Sequence, residues 1–145
     1  MRTQFCLNIS SAFGYKWDVP LTYLTSEDPN NRTLVWMSRD QERIKVSPPT
    51  GSKWTKFNVG QRGYYRVNYP LEDWENFGRI LLDRPEVLSS SDRTSLLNDA
   101  FSLAQADRIP YSTALSLTKF LSNETRSEPL TQFFSVCRLA WMANQ

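Results

Sequence analysis

The hydrophobic period of this chain changes once, at Tyr69-Pro70, and that change limits the fold more than any single motif does. Upstream of it, β-branched and aromatic residues alternate with polar ones in short stretches: about Thr3 to Leu7, Tyr15 to Leu24, Thr33 to Met37, Arg43 to Val46, Trp54 to Val59 and Tyr64 to Asn68. A period of two is the signature of half-buried strands. The turn clusters Asp28-Pro29-Asn30-Asn31 and Ser47-Pro48-Pro49-Thr50-Gly51 separate them, since Pro fixes one backbone angle and Asn or Gly tolerates the left-handed region. Pro20 has no N–H for a sheet ladder, so its strand should be at an edge or bulged.

Downstream the spacing becomes helical. Leu71, Trp74, Phe77 and Leu81 share one face of a first helix, with Glu72, Asp73 and Glu75 where the helix dipole favours negative charge. Arg84-Pro85 breaks it. Ser89-Ser90-Ser91-Asp92 then offers N-cap oxygens to a second helix with the apolar stripe Leu96, Leu97, Ala100, Phe101 and Ala104. Pro110 precedes a third, with Ala114, Leu117 and Leu121 on one face. Ser127-Glu128-Pro129 starts a fourth, on which Leu130, Phe133, Phe134, Cys137, Ala140 and Trp141 make a wide apolar surface.

The class is therefore β then α. An incomplete antiparallel β-sandwich occupies residues 1-69, and 70-145 form the start of an α-helical, HEAT/armadillo-like array, because helices joined by short turns stack as hairpins. Two hairpins would leave the broad face of the last helix uncovered, so we expect the chain to be a piece of something longer and prone to self-association around Phe133, Phe134 and Trp141.

Within the β half, Lys56 to Val59 and Tyr64 to Tyr69 read as a hairpin closed by Gly60-Gln61-Arg62-Gly63, with glycine at both ends of the connection. The alternation puts Phe57 and Val59 on one face of its first strand. Tyr65, Val67 and Tyr69 lie on the buried face of the second, and Tyr64, Arg66 and Asn68 on the other.

The available chemistry is narrow. No histidine occurs among the 145 residues, which excludes Ser-His and Cys-His nucleophilic pairs and every histidine metal ligand, the H-E-x-x-H zinc motif included. Cys6 and Cys137 read as two separate thiols. The carboxylates Glu72, Asp73 and Glu75, and the pair Asp92 and Asp99, read as first-turn charges and solvated faces, and Trp54, Trp74 and Trp141 as packing residues. A net charge of +2 spread without a basic block favours no nucleic-acid partner. No apolar run reaches the roughly 20 residues that cross a bilayer. The N-terminus lacks the apolar core of a secretory signal. Three sequons, at Asn8, Asn31 and Asn123, mark candidate N-glycan acceptors and weakly favour a secreted or cell-surface parent.

Arg62 to Tyr69 also matches much of the RNP1 pattern, in which strand aromatics stack on bases. Tyr65 stands where a small residue is needed and Arg66 where the second stacking aromatic belongs, which leaves Tyr64 alone on that face. The strands also precede all the helices, where an RNA-recognition domain interleaves them. A free-standing peptide- or protein-interaction module without an enzymatic parent is the remaining alternative.

Three motifs in order resemble the M1 family of zinc aminopeptidases. Gly14-Tyr15-Lys16-Trp17-Asp18-Val19-Pro20-Leu21-Thr22 resembles a strand with an aromatic, a Trp and an [IV]-Pro pair. Gly63-Tyr64-Tyr65-Arg66-Val67-Asn68-Tyr69 resembles the family's G-[FY]-Y-R-V-x-Y signature at the join of sandwich and helical domain, and Asp92 to Ala104 its D-R-x-x-[LI]-[LI]-x-D-[AS]-F-x-L-A helix. The resemblance is strongest to the cell-surface branch, whose members are anchored in the membrane with their bulk outside the cell. It implies a parent enzyme that uses zinc to remove N-terminal residues from peptides. It also implies a domain-junction role for Gly63 to Tyr69 and a helical domain that can help form homodimers. The family's zinc ligands, general base and catalytic Tyr have no matching positions here, so the resemblance assigns this chain no catalytic residue, no metal and no cofactor of its own.

Overall fold

The computed structural model describes residues 3–6 and 15–142, with side-chain surroundings described for 15–131 and 133–135. The thiols Cys6 and Cys137, the Asn8 sequon, Gly14 and the Trp141 side chain lie outside what is described. The chain forms two compact units that divide between Gly63 and Tyr64. The stretch 64–69, ahead of the change in period, thus belongs with the helices.

The first unit carries two antiparallel sheets. β1 (Thr3–Cys6) pairs with β4 (Arg43–Val46), Thr3 opposite Val46. β2 (Val19–Thr25) is the centre of a three-stranded sheet, between β3 (Thr33–Met37) and β5 (Thr55–Phe57). Val19, Leu21 and Tyr23 alternate onto the buried face with Met37 and Phe57, and the Tyr23 and Phe57 rings sit 5.6 Å apart. Pro20 lies in this central strand, yet it meets the requirement of an edge locally. It pairs with Trp36 on one side, while β5 begins to pair on the other only at Tyr23.

The expected hairpin does not form. β5 pairs with β2 and ends at Phe57, and residues 64–69 belong to no strand. Asn58 enters the left-handed region (φ 56°), which a short polar side chain tolerates, and a 3-10 turn follows over Val59–Gln61. The Asn58 amide then closes the loop in both directions, donating through Nδ2 to the Gly63 carbonyl (2.9 Å) and accepting from the Gly63 N–H (2.8 Å). The Asn58 N–H and the Val59 N–H are already engaged by the Thr22 carbonyl and hydroxyl. The chain leaves the sheet at this knot and does not return along it.

In the second unit, α1 (Leu71–Asp83) buries Trp74, Phe77 and Leu81 but leaves Leu71 exposed. A short 3-10 turn at Pro85–Val87 leads to α2 (Ser90–Gln105). Ser89 caps α2 reciprocally: its Oγ accepts from the Asp92 N–H (3.1 Å) and donates to the Asp92 carboxylate (2.6 Å). The helix ends where Asp107 turns left-handed (φ 54°) and the Arg108 N–H reaches back to the Leu103 carbonyl (2.8 Å). α3 (Tyr111–Leu117) tightens into 3-10 geometry over Thr118–Asn123, so the buried face runs Ala114, Leu117, Phe120, and Leu121 is only half-buried. α4 (Ser127–Met142) packs against α2, with Phe133 6.2 Å from Phe101, while Phe134 stays 67% exposed.

Candidate functional site

The two helical-unit motifs fasten to each other. Residues 64–69 meet α2 at Asp99, where the Val67 N–H, which a ladder would have bonded, donates to the carboxylate at 3.1 Å. Arg66 reaches the other Asp99 oxygen (3.3 Å) and the Asn98 carbonyl (3.4 Å). Asp99 is buried and Arg66 half-exposed, so the carboxylate's main task is to satisfy a buried backbone donor.

The alternation expected for this segment holds even without a strand: Val67 and Tyr69 are buried, Tyr65 is half-buried, and Tyr64, Arg66 and Asn68 are exposed. Asn68 accepts from the Trp74 indole N–H (3.2 Å). Tyr69 stands edge-on to Trp74 (5.0 Å, 88°) and to Phe77 (5.1 Å). The segment is therefore held by α2 through its backbone and by α1 through its rings.

Asp99→Ala should cost the chain about 1–3 kcal/mol, because it leaves the buried Val67 N–H without its carboxylate acceptor. Asp99→Asn, which keeps an acceptor oxygen, should cost less. Urea unfolding of the full chain measures both; an alanine variant within about 0.5 kcal/mol of the parent would show that the bond is not needed.

A second cluster ties the connections together. Arg93, on α2, grips both Glu124 oxygens through Nε (2.5 Å) and Nη2 (2.7 Å), and its Nη1 donates to the carbonyls of Pro85 (3.0 Å) and Leu88 (2.5 Å). Only 7% of the Arg93 side chain and 1% of the Glu124 side chain meet solvent. Burial pushes the Glu124 carboxyl up, but the Arg93 guanidinium and the backbone N–H groups of Arg126 and Thr125 outweigh it and hold the group below its ordinary value. The expectation of a solvated face is overturned for Asp99, which is buried on the Val67 N–H; Asp92 is the first-turn charge that was expected, but it is buried too and accepts from the Ser89 hydroxyl. The Asp99 partner is a backbone N–H 32 residues away, which spacing alone does not reveal, whereas the Asp92 partner is the Ser89 hydroxyl three residues before it. Asp73, on α1, is pushed up by burial and by Glu72 beside it.

Two open grooves mark the helical unit. One, of about 430 Å³, lies along α1 and α3 between Trp74, Gly78, Arg79, Ser116 and Lys119. The other, of about 670 Å³, lies over Ser89, Arg93, Glu124 and Arg126. Among the described residues no group of three or more His, Cys, Asp or Glu is placed to hold a metal ion.

Of the candidate glycan acceptors, Asn31 is exposed in the β2–β3 turn. Asn123 is exposed too, but its Nδ2 donates to the Leu82 carbonyl at 3.2 Å.

A family model described as "ERAP1-like C-terminal domain" matches residues 54–141, a range that contains both fastened motifs. Endoplasmic reticulum aminopeptidase 1 of Mus musculus is 37% identical over 119 residues, covering 82% of this chain and 12% of that protein. Glutamyl aminopeptidase of Homo sapiens is 35% identical over 127 residues, covering 86% and 13%. The thyrotropin-releasing hormone-degrading ectoenzyme of Mus musculus is 35% identical over 112 residues, covering 76% and 10%. The chain thus spans little more than a tenth of the length of these relatives, and their identities do not set the cell-surface members apart from the endoplasmic reticulum one.

Proposed function

Because the chain belongs to the ERAP1-like C-terminal domain family, within the M1 aminopeptidases, we propose that it serves as non-catalytic scaffold of an enzyme that removes N-terminal residues from peptides. The observation that carries this reading is the match over 54–141, in which the side chains of Arg93, Glu124 and Asp99 are engaged in holding the fold. In this reading Gly63 to Tyr69 is the domain junction, and its bonds to α1 and α2 give the helical array a fixed first step. Exposed Phe134 on α4 is where the helical unit would associate with a second copy.

The zinc of the family does not fit here. The chain has no histidine, and among its described residues no group of three or more His, Cys, Asp or Glu is placed to hold a metal ion. The parent's zinc and its peptide substrate would be held by another segment. Relatives named for the endoplasmic reticulum and as an ectoenzyme support a parent that enters the secretory route and acts on its luminal or extracellular side. No described helix is long and apolar enough to cross a membrane.

The purified chain should hydrolyse no amino-acid anilide, with or without added zinc. Hydrolysis abolished by a chelator would overturn the scaffold reading. The coding sequence upstream of Met1 tests the parent separately: an H-E-x-x-H motif there supports the enzyme, and its absence would favour a free-standing interaction module.

A further inference from the structure

We infer that Asn31 is an N-glycan acceptor of this chain and that Asn123, although its sequon is as complete, is not one. The inference rests on the secretory-route reading above, and the two sequons differ in what the fold does with them.

The β2–β3 turn is pinned where β3 begins, at Thr33 opposite Tyr23, and in its first half. There the Asp28 N–H bonds to the Thr25 carbonyl and hydroxyl, the Ser26 N–H to the Trp54 carbonyl, and the Lys53 N–H to the Ser26 hydroxyl. Asn31, Arg32 and Thr33 follow, all exposed, and the Asn31 amide bonds to no described group. Thr33 also opens β3, paired with Tyr23, so the sheet holds the last residue of the sequon while the acceptor Asn31 and Arg32 stay outside the ladder and open to a transferase.

The Asn123 sequon is drawn into the fold instead. Its middle residue, Glu124, is clamped by Arg93 with 1% of its side chain in solvent, and the Thr125 and Arg126 N–H groups both bond back to the Glu124 carboxylate (3.0 and 2.9 Å). Extending this tripeptide into a transferase would require opening the buried ion pair. Folding of the helical unit therefore withdraws the acceptor.

The reaction needs a polyprenyl-pyrophosphate-linked oligosaccharide as donor. The Asn31 Nδ2 forms a bond to the anomeric carbon of the first sugar, the bond from that carbon to the pyrophosphate oxygen breaks, and the pyrophosphate leaves with the electron pair. The amide gives up one proton to the transferase.

The test expresses the full chain behind a cleavable leader peptide in a eukaryotic host, in an Asn8→Gln background, and reads gel mobility before and after peptide N-glycosidase. The leader supplies the route, so failure of the site and failure of the localisation reading are distinguishable. One mobility step is expected, lost in Asn31→Gln and in Thr33→Ala and retained in Thr33→Ser and in Asn123→Gln. A step that survives Asn31→Gln, the absence of any step in the secreted chain, or loss of a step on Asn123→Gln would overturn the inference.

Discussion

Arg93→Ala should destabilise the full chain by about 3–5 kcal/mol, the range for stripping one partner from a buried ion pair. The Arg93 guanidinium serves two connections at once: that between α1 and α2 through the Pro85 and Leu88 carbonyls, and that between α3 and α4 through the Glu124 carboxylate. Truncation strands a carboxylate with 1% of its side chain exposed and leaves two carbonyls without that donor. Arg93→Lys should recover little, since an ammonium cannot reproduce a bidentate grip on a carboxylate and two further bonds. The double replacement Arg93→Met with Glu124→Leu removes both charges and should be much milder than either single change, which separates the cost of an unpaired buried charge from the worth of the pair. The pH dependence has a definite sign. The Glu124 carboxyl is held below its ordinary value of 4.5 in the fold, so the unfolded chain binds more protons around that pH. The stabilisation is complete above about 4.5 and is lost as the pH falls through the lower folded value. Glu124→Gln should flatten the acid limb of the stability profile. Urea titrations at neutral pH and between pH 3 and 6 measure these effects; an Arg93→Ala loss below about 1 kcal/mol, typical of an exposed pair, would show the cluster to be ornamental.

How much of this was legible in the sequence depends on the separation of the partners. Local signals were reliable: Ser89 caps α2 and α4 begins at Ser127, because capping is settled within one helical turn. The alternation of 64–69 was legible as well, and it correctly placed Val67 and Tyr69 inside. What it could not say was whether the extended segment would pair. A period of two reports an extended backbone with one buried face, and it is silent about which group accepts each N–H. Val67 gives its proton to a carboxylate 32 residues further along the chain, so the hairpin reading failed at that bond. Arg93 and Glu124, 31 residues apart, were invisible for the same reason. Asp99, read as part of a solvated face, is a buried acceptor in the helical unit. The third helix failed differently: its tightening into 3-10 geometry moved the buried position from Leu121 to Phe120, a shift that side-chain spacing alone does not fix. The absence of histidine was the most durable observation about chemistry, because it needs no structure to limit what these residues can do.

Trp74→Ala should cost about 3–5 kcal/mol and should loosen the junction segment specifically. The ring is 1% exposed, faces Tyr69 edge-on at 5.0 Å and donates its N–H to Asn68, so truncation opens a cavity, frees Asn68 from α1 and leaves Tyr69 only its contact with Phe77 there. Trp74→Phe keeps most of the apolar volume and loses the donor; it should fall well short of the alanine variant. The segment has a second anchor, Asp99 on α2, and the two anchors grip one short extended piece of backbone. Their energies should therefore couple: once Asp99 has been replaced, releasing Trp74 costs less than it does in the parent, with an interaction of about 0.5–3 kcal/mol in a double-mutant cycle. Limited trypsin digestion under native conditions gives an independent reading, since Arg66 is exposed and lies immediately ahead of the anchored residues Val67, Asn68 and Tyr69. Cleavage after Arg66 should be slow in the parent, faster in either single variant and fastest in the double. Additivity within about 0.3–0.5 kcal/mol, together with unchanged cleavage at Arg66, would mean that Trp74 stabilises the α1 core alone and that the junction is held by Asp99 without it.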